Sequence, residues 1–283
     1  MRRASLVSLL FASAVPLLAQ RVVDPNGTTL HIYPDQSHAL EGQARGAAAH
    51  GGSGQNLSYH GGPVITSAKV VSIFWGTEWG TQNSPSALAN AMLGFFSQFG
   101  TTPEYNVITQ YSGIQLTGMG QTYFVDTNNP PTAVSDTAIQ NEVIAYINAH
   151  GFDASTVYEV FLPSTSYSTS GNATSCGGPN LQYCAYHGNF SHNGNDVKYA
   201  SMPYPSCGGC QTTGWSTEHN FDHFACHETR ESATDPDLNA WYDRRGNEAD
   251  DKCAWSPTPF IGTNGYGYQW EWSNAVSACV KTR

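Results

Sequence analysis

The sequence predicts an α/β or α+β fold in which one mixed sheet is packed by helices. Runs rich in β-branched and aromatic residues alternate along the chain with amphipathic helical patterns, and no internal repeat is visible. About 260 residues follow an apolar leader, which is enough for one domain with a sizeable core. Seven cysteines indicate an oxidising compartment and loops stapled by disulfides.

The first nineteen residues have the features of a secretory signal peptide. Arg2 and Arg3 precede an apolar run over 6–18, which is too short to span a membrane comfortably. We expect cleavage after Ala19, with Ala14 as the alternative. The mature protein is therefore predicted to be secreted or periplasmic, with no membrane segment.

Residues 20–55 are predicted to be a low-complexity lead-in to a single domain over 56–283. Gly, Ala, His and Gln dominate 41–55, with no apolar period. The lead-in is long enough to cover a cleft, so a removable pro-segment is an alternative interpretation. It contains no recognisable blocking ligand, and its composition favours a linker.

The elements of the domain follow from periodicity and helix-end signals. Strands are expected over 63–75, 105–116, 122–125, 157–162 and 197–202. Helices are expected over 84–100, 135–150 and 216–234, the first from a Ser-Pro start and the last stopped by Asp-Pro. The Ser, Gly and Asn-rich stretch 164–196 is expected to be a stapled loop.

The cysteines are expected to pair with their neighbours in sequence. The expected disulfides are Cys176–Cys184, Cys207–Cys210 and Cys253–Cys279. That pairing leaves Cys226 as a buried free thiol. A half zinc site at the C-x-x-C is a weaker interpretation, because no second C-x-x-C exists to complete four cysteine ligands. A redox pair is also weaker, because the motif lacks the helix start typical of thioredoxin.

Composition excludes two classes of partner. Only 12% of residues are charged and the formal net charge is −10. A nucleic-acid partner or electrostatic attraction to anionic membranes is therefore not expected.

The most informative motif is His227-Glu-x-x-Glu231 on the third predicted helix. Residues four apart lie on one helix face, so His227 and Glu231 can bind one metal ion. The pattern is the zinc-peptidase H-E-x-x-H with glutamate as the second ligand, which predicts a zincin-like domain. Glu228 is then the candidate catalytic base that takes a proton from the attacking water.

A catalytic zinc site needs a third protein ligand. Glu248, seventeen residues beyond Glu231, is the first candidate. Asp251 and Asp243 are alternative ligands or groups that orient the histidine. An alternative pair of metal ligands is His223 with His227, in which case Glu231 supports the ligands and does not bind the metal. A glutamate ligand makes the site more anionic, so a cation other than zinc stays open.

Several segments resemble the Exordium (phosphate-induced protein) family, over roughly 56–279. They are Tyr59-His-Gly-Gly-Pro-Val64, Ile73-Phe-Trp-Gly76, Cys184-Ala-Tyr-His187, Cys207-Gly-Gly-Cys210, His227-Glu-x-x-Glu231, Asp235-Pro236, Asn239-Ala-Trp-Tyr242, Glu248-x-x-Asp251-x-Cys253 and Gln269-Trp-Glu-Trp272. Asp235, where plant members often have Asn, makes the chain similar to a bacterial relative. The resemblance implies an extracellular, cell-wall-associated location, and it implies location and fold more firmly than chemistry.

Two functions are expected from these observations. The first is a zinc-dependent, metallopeptidase-type hydrolase acting on peptides. The second is a non-catalytic extracellular protein that binds a cell-wall polymer, with a structural metal or none. Aromatic side chains that could stack on sugar rings are Trp241, Tyr242, Tyr266, Tyr268, Trp270 and Trp272.

Overall fold

A seven-stranded mixed sheet forms the centre of the computed structural model, which describes residues 20–40 and 55–283. Its strands are β1 (Arg21–Val23), β2 (Thr29–Pro34), β3 (Lys69–Trp75), β4 (Thr122–Asp126), β5 (Thr156–Phe161), β6 (Tyr183–His192) and β7 (Asn195–Met202). The spatial order is β1-β2-β6-β7-β5-β3-β4. The predicted signal peptide and residues 41–54 lie outside the described residues.

The sheet has a parallel half and an antiparallel half. Strands β7, β5, β3 and β4 pair in parallel, whereas β1, β2, β6 and β7 pair antiparallel. Every residue of β5 is buried, as expected for a central strand covered on both faces.

Three α-helices cover the sheet: α1 (Ala87–Phe99), α2 (Asp136–His150) and α3 (Thr217–Thr234). Each begins at a serine N-cap, Ser86, Ser135 or Ser216, whose hydroxyl accepts a backbone N–H bond. The N-cap of α1 is therefore Ser86. The predicted helix start at Ser84-Pro85 is instead a short strand. Residues 36–40 are helical, and shorter 3₁₀ segments are Thr77–Trp79, Tyr105–Gln110, Gly208–Cys210 and Asp251–Cys253.

The helices form layers on both faces of the sheet. Aromatic residues of α1 and α3, including Phe95 and Phe221, pack with Phe161 of β5 in one core. On the other face, Ile139 and Val143 of α2 pack against alternate residues of the same strands. The prediction of a mixed sheet packed by helices is confirmed.

Small sheets surround this frame. One has three strands, Ala133–Ser135, Tyr167–Ser170 and Ala173–Thr174. The two-stranded pairs are Ser58–Tyr59 with Trp241–Tyr242, Gly80–Thr81 with Ser84–Pro85, Phe260–Ile261 with Gly267–Tyr268, and Glu271–Ser273 with Ala278–Val280.

The strand predictions for residues 63–75 and 105–116 need correction. The first predicted strand is shorter than 63–75 and begins at Lys69. Residues 105–110 form a 3₁₀ helix where a strand was predicted. Tyr105, Ile108 and Tyr111 are buried at a spacing of three, the period of that helix, so their apolar pattern is not strand alternation.

The predicted stapled loop over 164–196 is also wrong, because it contains the longest strand of the sheet, β6. β6 joins β7 through a tight hairpin at Asn193-Gly194, where both residues have positive φ. Asn-Gly is the strongest short-range hairpin signal in a sequence.

The lead-in prediction fails over 20–40. Those residues form the outer strands β1 and β2, and Leu30, Ile32 and Tyr33 are buried in the two cores. Short strands without a helical period are weak signals in sequence, and their burial depends on pairing with β6, about 150 residues away in the chain.

Two of the three expected disulfides pair differently. The bonds are Cys176–Cys207, Cys184–Cys210 and Cys253–Cys279, of which only the last was predicted. Strand β6 brings Cys184 beside the 3₁₀ turn that carries Cys210, so sequence neighbours are not spatial partners. Cys226 is buried and free, as expected. No helix among the described residues is long and apolar enough to cross a membrane.

Candidate metal centre

Helix α3 carries the His-Glu-x-x-Glu motif into the interior. All residues from Asn220 to Thr234 are buried, although many are polar or charged. Phe221 and Phe224 fix one side of the helix in the aromatic core. At its end Asp235 accepts a bond from the Ala240 backbone N–H and turns the chain toward the 243–251 loop. The polar side of α3 must therefore be satisfied inside the protein.

Four ligand-type side chains from four elements meet on that side. They are His31 of β2, His187 of β6, Glu231 of α3 and Glu248 of the following loop. Each is at most 1% exposed. His31 Nδ1 lies 3.2 Å from a Glu231 oxygen and 3.1 Å from a Glu248 oxygen, and His187 Nε2 lies 3.7 and 3.6 Å from the same two carboxylates.

These separations match a tetrahedral site. Zinc bonds to nitrogen and oxygen of about 2.0–2.1 Å place tetrahedral ligand atoms about 3.3 Å apart. The Glu248 oxygens lie this close to both histidines without hydrogen-bond geometry. The four residues can therefore hold a metal ion.

The sheet register brings the two histidines together. His31 and His187 are directly opposite in the antiparallel β2–β6 pair, and their ring centroids are 5.4 Å apart. Directly opposed residues of an antiparallel pair point to the same face, here the face that carries α3.

Asp251 holds two of these groups in place. Its Oδ2 lies 3.2 Å from His31 Nε2 and accepts the Glu248 backbone N–H at 2.8 Å. Its own backbone N–H donates to Glu231 Oε1 at 3.1 Å. A histidine that offers one ring nitrogen to a metal commonly has a carboxylate beside the other, and Asp251 Oδ2 lies beside His31 Nε2, although without hydrogen-bond geometry.

His227 lies beside the same carboxylate in a second possible ligand group with Glu231 and Asp251. Its Nδ1 lies 3.2 Å from Gln269 Oε1, and Gln269 Nε2 donates to the Asp250 carbonyl, which fixes the amide orientation. Nδ1 therefore carries a proton, and Nε2 faces Glu231 Oε2 at 3.0 Å. Two facing acceptors require a proton or a metal ion between them.

The charges of the cluster also fit a cation. Glu231, Glu248 and Asp251 lie together there, and Glu228 is close enough for Glu231 and Asp251 to raise its pKa; all four carboxylates are buried. Within the described ranges no Lys or Arg forms an ion pair with any of them. Burial, then neighbouring carboxylates, raises the pKa of Glu228, Glu248 and Asp251. Burial opposes ionisation of Glu231, but His227 and His31 hold its pKa well below the usual value.

Glu228 occupies a distinctive place. Its side chain is completely buried, and neither carboxylate oxygen has a hydrogen-bond partner among the described residues. Burying such a group without a partner costs several kcal/mol in an apolar medium. An unpartnered carboxylate beside a ligand cluster is available for a reacting molecule.

The other predicted ligands lie elsewhere. His223 lies 2.8 Å from the Tyr33 hydroxyl and 3.3 Å from Gln269, and burial lowers its pKa to about 3. Asp243 caps its own loop, accepting from Asn247, and pairs with Lys252 at 3.4 Å. Neither joins the ligand cluster.

Access to the cluster is closed in this form of the protein. Two surface cavities of about 260 and 410 Å³ are lined entirely by residues outside it. The ligand side chains are 0–1% exposed, so solvent does not reach the cluster.

Sequence reasoning missed His31 and His187 as ligands. Neither belongs to a motif with ligand spacing: His31 is the one histidine of β2, and His187 shares β6 only with His192, five residues later. The available signal was the strand pattern around them, which places each on the face opposite its apolar neighbours.

Comparisons of the chain with protein-family models, curated proteins and solved structures give no match.

Proposed function

We propose that this protein is an exported, zinc-dependent hydrolase of the peptidase type, similar to the Exordium family. The observation that carries the proposal is Glu228, a buried carboxylate without partners, one position after His227 and beside the ligand cluster. A structural metal site does not require a carboxylate of this kind.

The ligand set proposed for zinc is His31, His187, Glu231 and Glu248, with His227 against Glu231. Nitrogen and carboxylate oxygen donors at these separations suit zinc. When bound, zinc supplies a Lewis acid that polarises a carbonyl and makes water more acidic.

The chain's own residues would then carry the proton. Glu228 accepts a proton from the water that attacks the peptide carbonyl carbon, and later gives it to the leaving nitrogen. The carbon–nitrogen bond breaks, the water oxygen remains in the new carboxyl group, and the amine leaves with the transferred proton. Asp251 keeps Glu248 and Glu231 in position through its Oδ2 and its backbone N–H.

Export is part of the proposal. Three disulfides suit an oxidising compartment, and the leader sequence suits secretion. The acidic net charge favours neither nucleic acid nor anionic membranes as partners.

Elemental analysis and peptide turnover test this proposal together. The wild-type protein is expected to contain one zinc per chain, and His187→Ala and Glu231→Ala to lose it. Glu228→Gln should keep zinc and lose hydrolysis by at least about 100-fold, the usual contribution of general acid–base catalysis. Turnover unchanged in Glu228→Gln would refute the hydrolase, and no zinc after reconstitution would refute the site.

A second function is favoured by a different observation. Four protein ligands with no exposed position are typical of structural zinc. On the surface, Tyr59 is 51% exposed and lies 5.4 Å from the Trp241 ring, and His60 stacks on Tyr242 at 3.7 Å. A non-catalytic protein that binds a cell-wall polymer would use this aromatic patch. Of the other aromatics predicted for that role, Tyr268 and Trp272 are buried.

Polysaccharide binding separates the two functions. The wall-binding protein should be retained by insoluble cell-wall polymer in the presence of a chelator, and Tyr59→Ala should weaken retention. A hydrolase without this second function would show neither effect.

A further inference from the structure

We infer that residues 20–34, the N-terminal hairpin of β1 and β2, occupy the substrate groove of the metal centre as an internal inhibitor. Strand β2 takes the position of an extended peptide along β6, and His31 closes the metal site. This inference rests on the proposed function and names both its substrate class and its regulation.

The hairpin is an edge addition to the sheet. It pairs with the remaining strands through β2 alone, where Leu30–Pro34 lie antiparallel to Gly188–Tyr183 of β6. Without the hairpin, β6 would be an edge strand beside the ligand side of α3. An exposed strand edge is a common site for peptides that bind by adding a strand.

His31 is the ligand that completes the tetrahedral set. Catalytic zinc sites keep three protein ligands and leave the fourth position for water or substrate. Removing His31 leaves His187, Glu231 and Glu248, with His227 adjacent, which is a three-ligand set from the body of the domain. The hairpin thus supplies the fourth protein ligand, which fills the position that a catalytic zinc site leaves for water or substrate.

Tyr33, two residues later on the same face, covers the motif helix. Its ring lies 4.2 Å from the His227 ring and its hydroxyl 2.8 Å from His223 Nε2. Trp255 stacks on its other side at 5.2 Å and donates its indole N–H to the Pro34 carbonyl. These contacts hold β2 as a bound peptide would be held.

The hairpin is separable from the domain in covalent terms. No cysteine precedes Cys176, so no disulfide ties the hairpin down. The hairpin continues toward the domain through residues 41–54, in which nine of fourteen residues are Gly or Ala. Arg45 is the single Lys or Arg between Arg21 and Lys69, so a protease that cleaves after Lys or Arg has one site there.

The side chains of β2 indicate the kind of peptide that fits. Leu30 and Ile32 flank His31 and point to the α2-side core, where Gly188 leaves the space that Leu30 fills. An extended substrate should therefore carry apolar residues at both positions flanking the one over the metal centre.

The test cuts the hairpin from the folded, zinc-loaded full chain. A specific protease sequence replaces residues 45–50, and the cut protein is compared with the uncut one. Three quantities are measured: zinc per chain, exchange of the hairpin for a labelled synthetic peptide of residues 20–40, and turnover of peptide substrates. A 20–40 peptide carrying His31→Ala is the matched control.

We expect the cut protein to keep its zinc and to exchange the labelled peptide. The His31→Ala peptide should bind at least about 100-fold more weakly, because it lacks the metal contact. Zinc released together with the hairpin, equal binding of both peptides, or a cut hairpin that never exchanges would each overturn the inference.

Turnover separates the inference from the proposed function. Turnover that appears on cutting, falls when the 20–40 peptide is added back and is absent from Glu228→Gln supports both. His31-dependent exchange without turnover supports the hairpin as an occupant of a peptide groove and refutes the hydrolase. The uncut His31→Ala protein, which keeps β2, provides the second variant: loss of its zinc would make His31 a structural ligand and overturn the inhibitor.

Discussion

Two buried charge clusters lie side by side on helix α3, and they are neutralised in different ways. Arg230 pairs with Asp250 and Glu271 and donates to the carbonyls of Glu104 and Gln269, all within the protein. One residue further along, Glu231 lies close to the carboxylates of Glu248 and Asp251, and it forms no ion pair with a Lys or Arg among the described residues.

The difference distinguishes a structural cluster from a candidate site. Burial raises the pKa of Asp250, but Arg230 opposes the shift and holds it to about 6. In the Glu231 cluster, burial, then Asp235, Glu231 and Asp251, raises the pKa of Glu248, and no Lys or Arg among the described residues forms an ion pair with it. The first cluster contains a cationic side chain paired with both of its carboxylates, whereas the second needs protons or a metal ion.

Breaking the Arg230 cluster should have the largest effect on stability. Arg230→Met leaves Asp250 and Glu271 buried without a counter-charge, which lowers the free energy of unfolding by about 3–5 kcal/mol. Urea unfolding in saturating zinc measures the change, and zinc content should stay at one per chain. Arg230→Met combined with Asp250→Asn should recover part of the loss; a complete loss of zinc in the single variant would show that the clusters are not independent.

Two acidic residues of one loop sharpen the position of the metal site. Glu248→Gln removes a ligand and should weaken zinc binding by at least about 100-fold, or about 2.7 kcal/mol. Asp243→Asn, outside the ligand cluster, should leave zinc affinity unchanged. Competition with a chelating dye measures both, and equal losses would remove Glu248 from the ligand set.

Glu142 on α2 is a buried carboxyl group that burial keeps in its neutral, protonated form to higher pH. Burial, then Asp126, raises the pKa of Glu142 on α2 from 4.5 to about 7. The folded state therefore holds a proton that the unfolded chain releases above its ordinary pKa. The contribution of protonated Glu142 to the free energy of unfolding is complete below pH 4.5 and is lost as the pH rises through about 7.

The matching variant is Glu142→Gln, which keeps the neutral form at every pH. At pH 8 it should be more stable than the wild type by about 1–3 kcal/mol, and at pH 4.5 the two should be similar. Urea unfolding at both pH values measures the difference. The same pH dependence in both proteins would contradict the assignment.

The helices were predictable because their signals are local. Ser135 and Ser216 act as N-caps at the predicted starts, and Asp235-Pro236 ends α3 where expected. The motif residues His227, Glu228 and Glu231 follow directly from helical spacing. Strand predictions were weaker, and β6 was missed because its polar residues resemble a loop until the Asn193-Gly194 hairpin is considered.

The sequence by itself determined the α3 helix, its pairing of His227 with Glu231, and an acidic loop close behind it. Those features depend on contacts within a few residues or turns of the chain. Only the tertiary structure decided the remaining ligands and the disulfide partners. His31 meets His187 through strand register across 156 positions, and Cys184 meets Cys210 because β6 passes the turn before α3. Such pairings depend on which strands become neighbours, which no local pattern specifies.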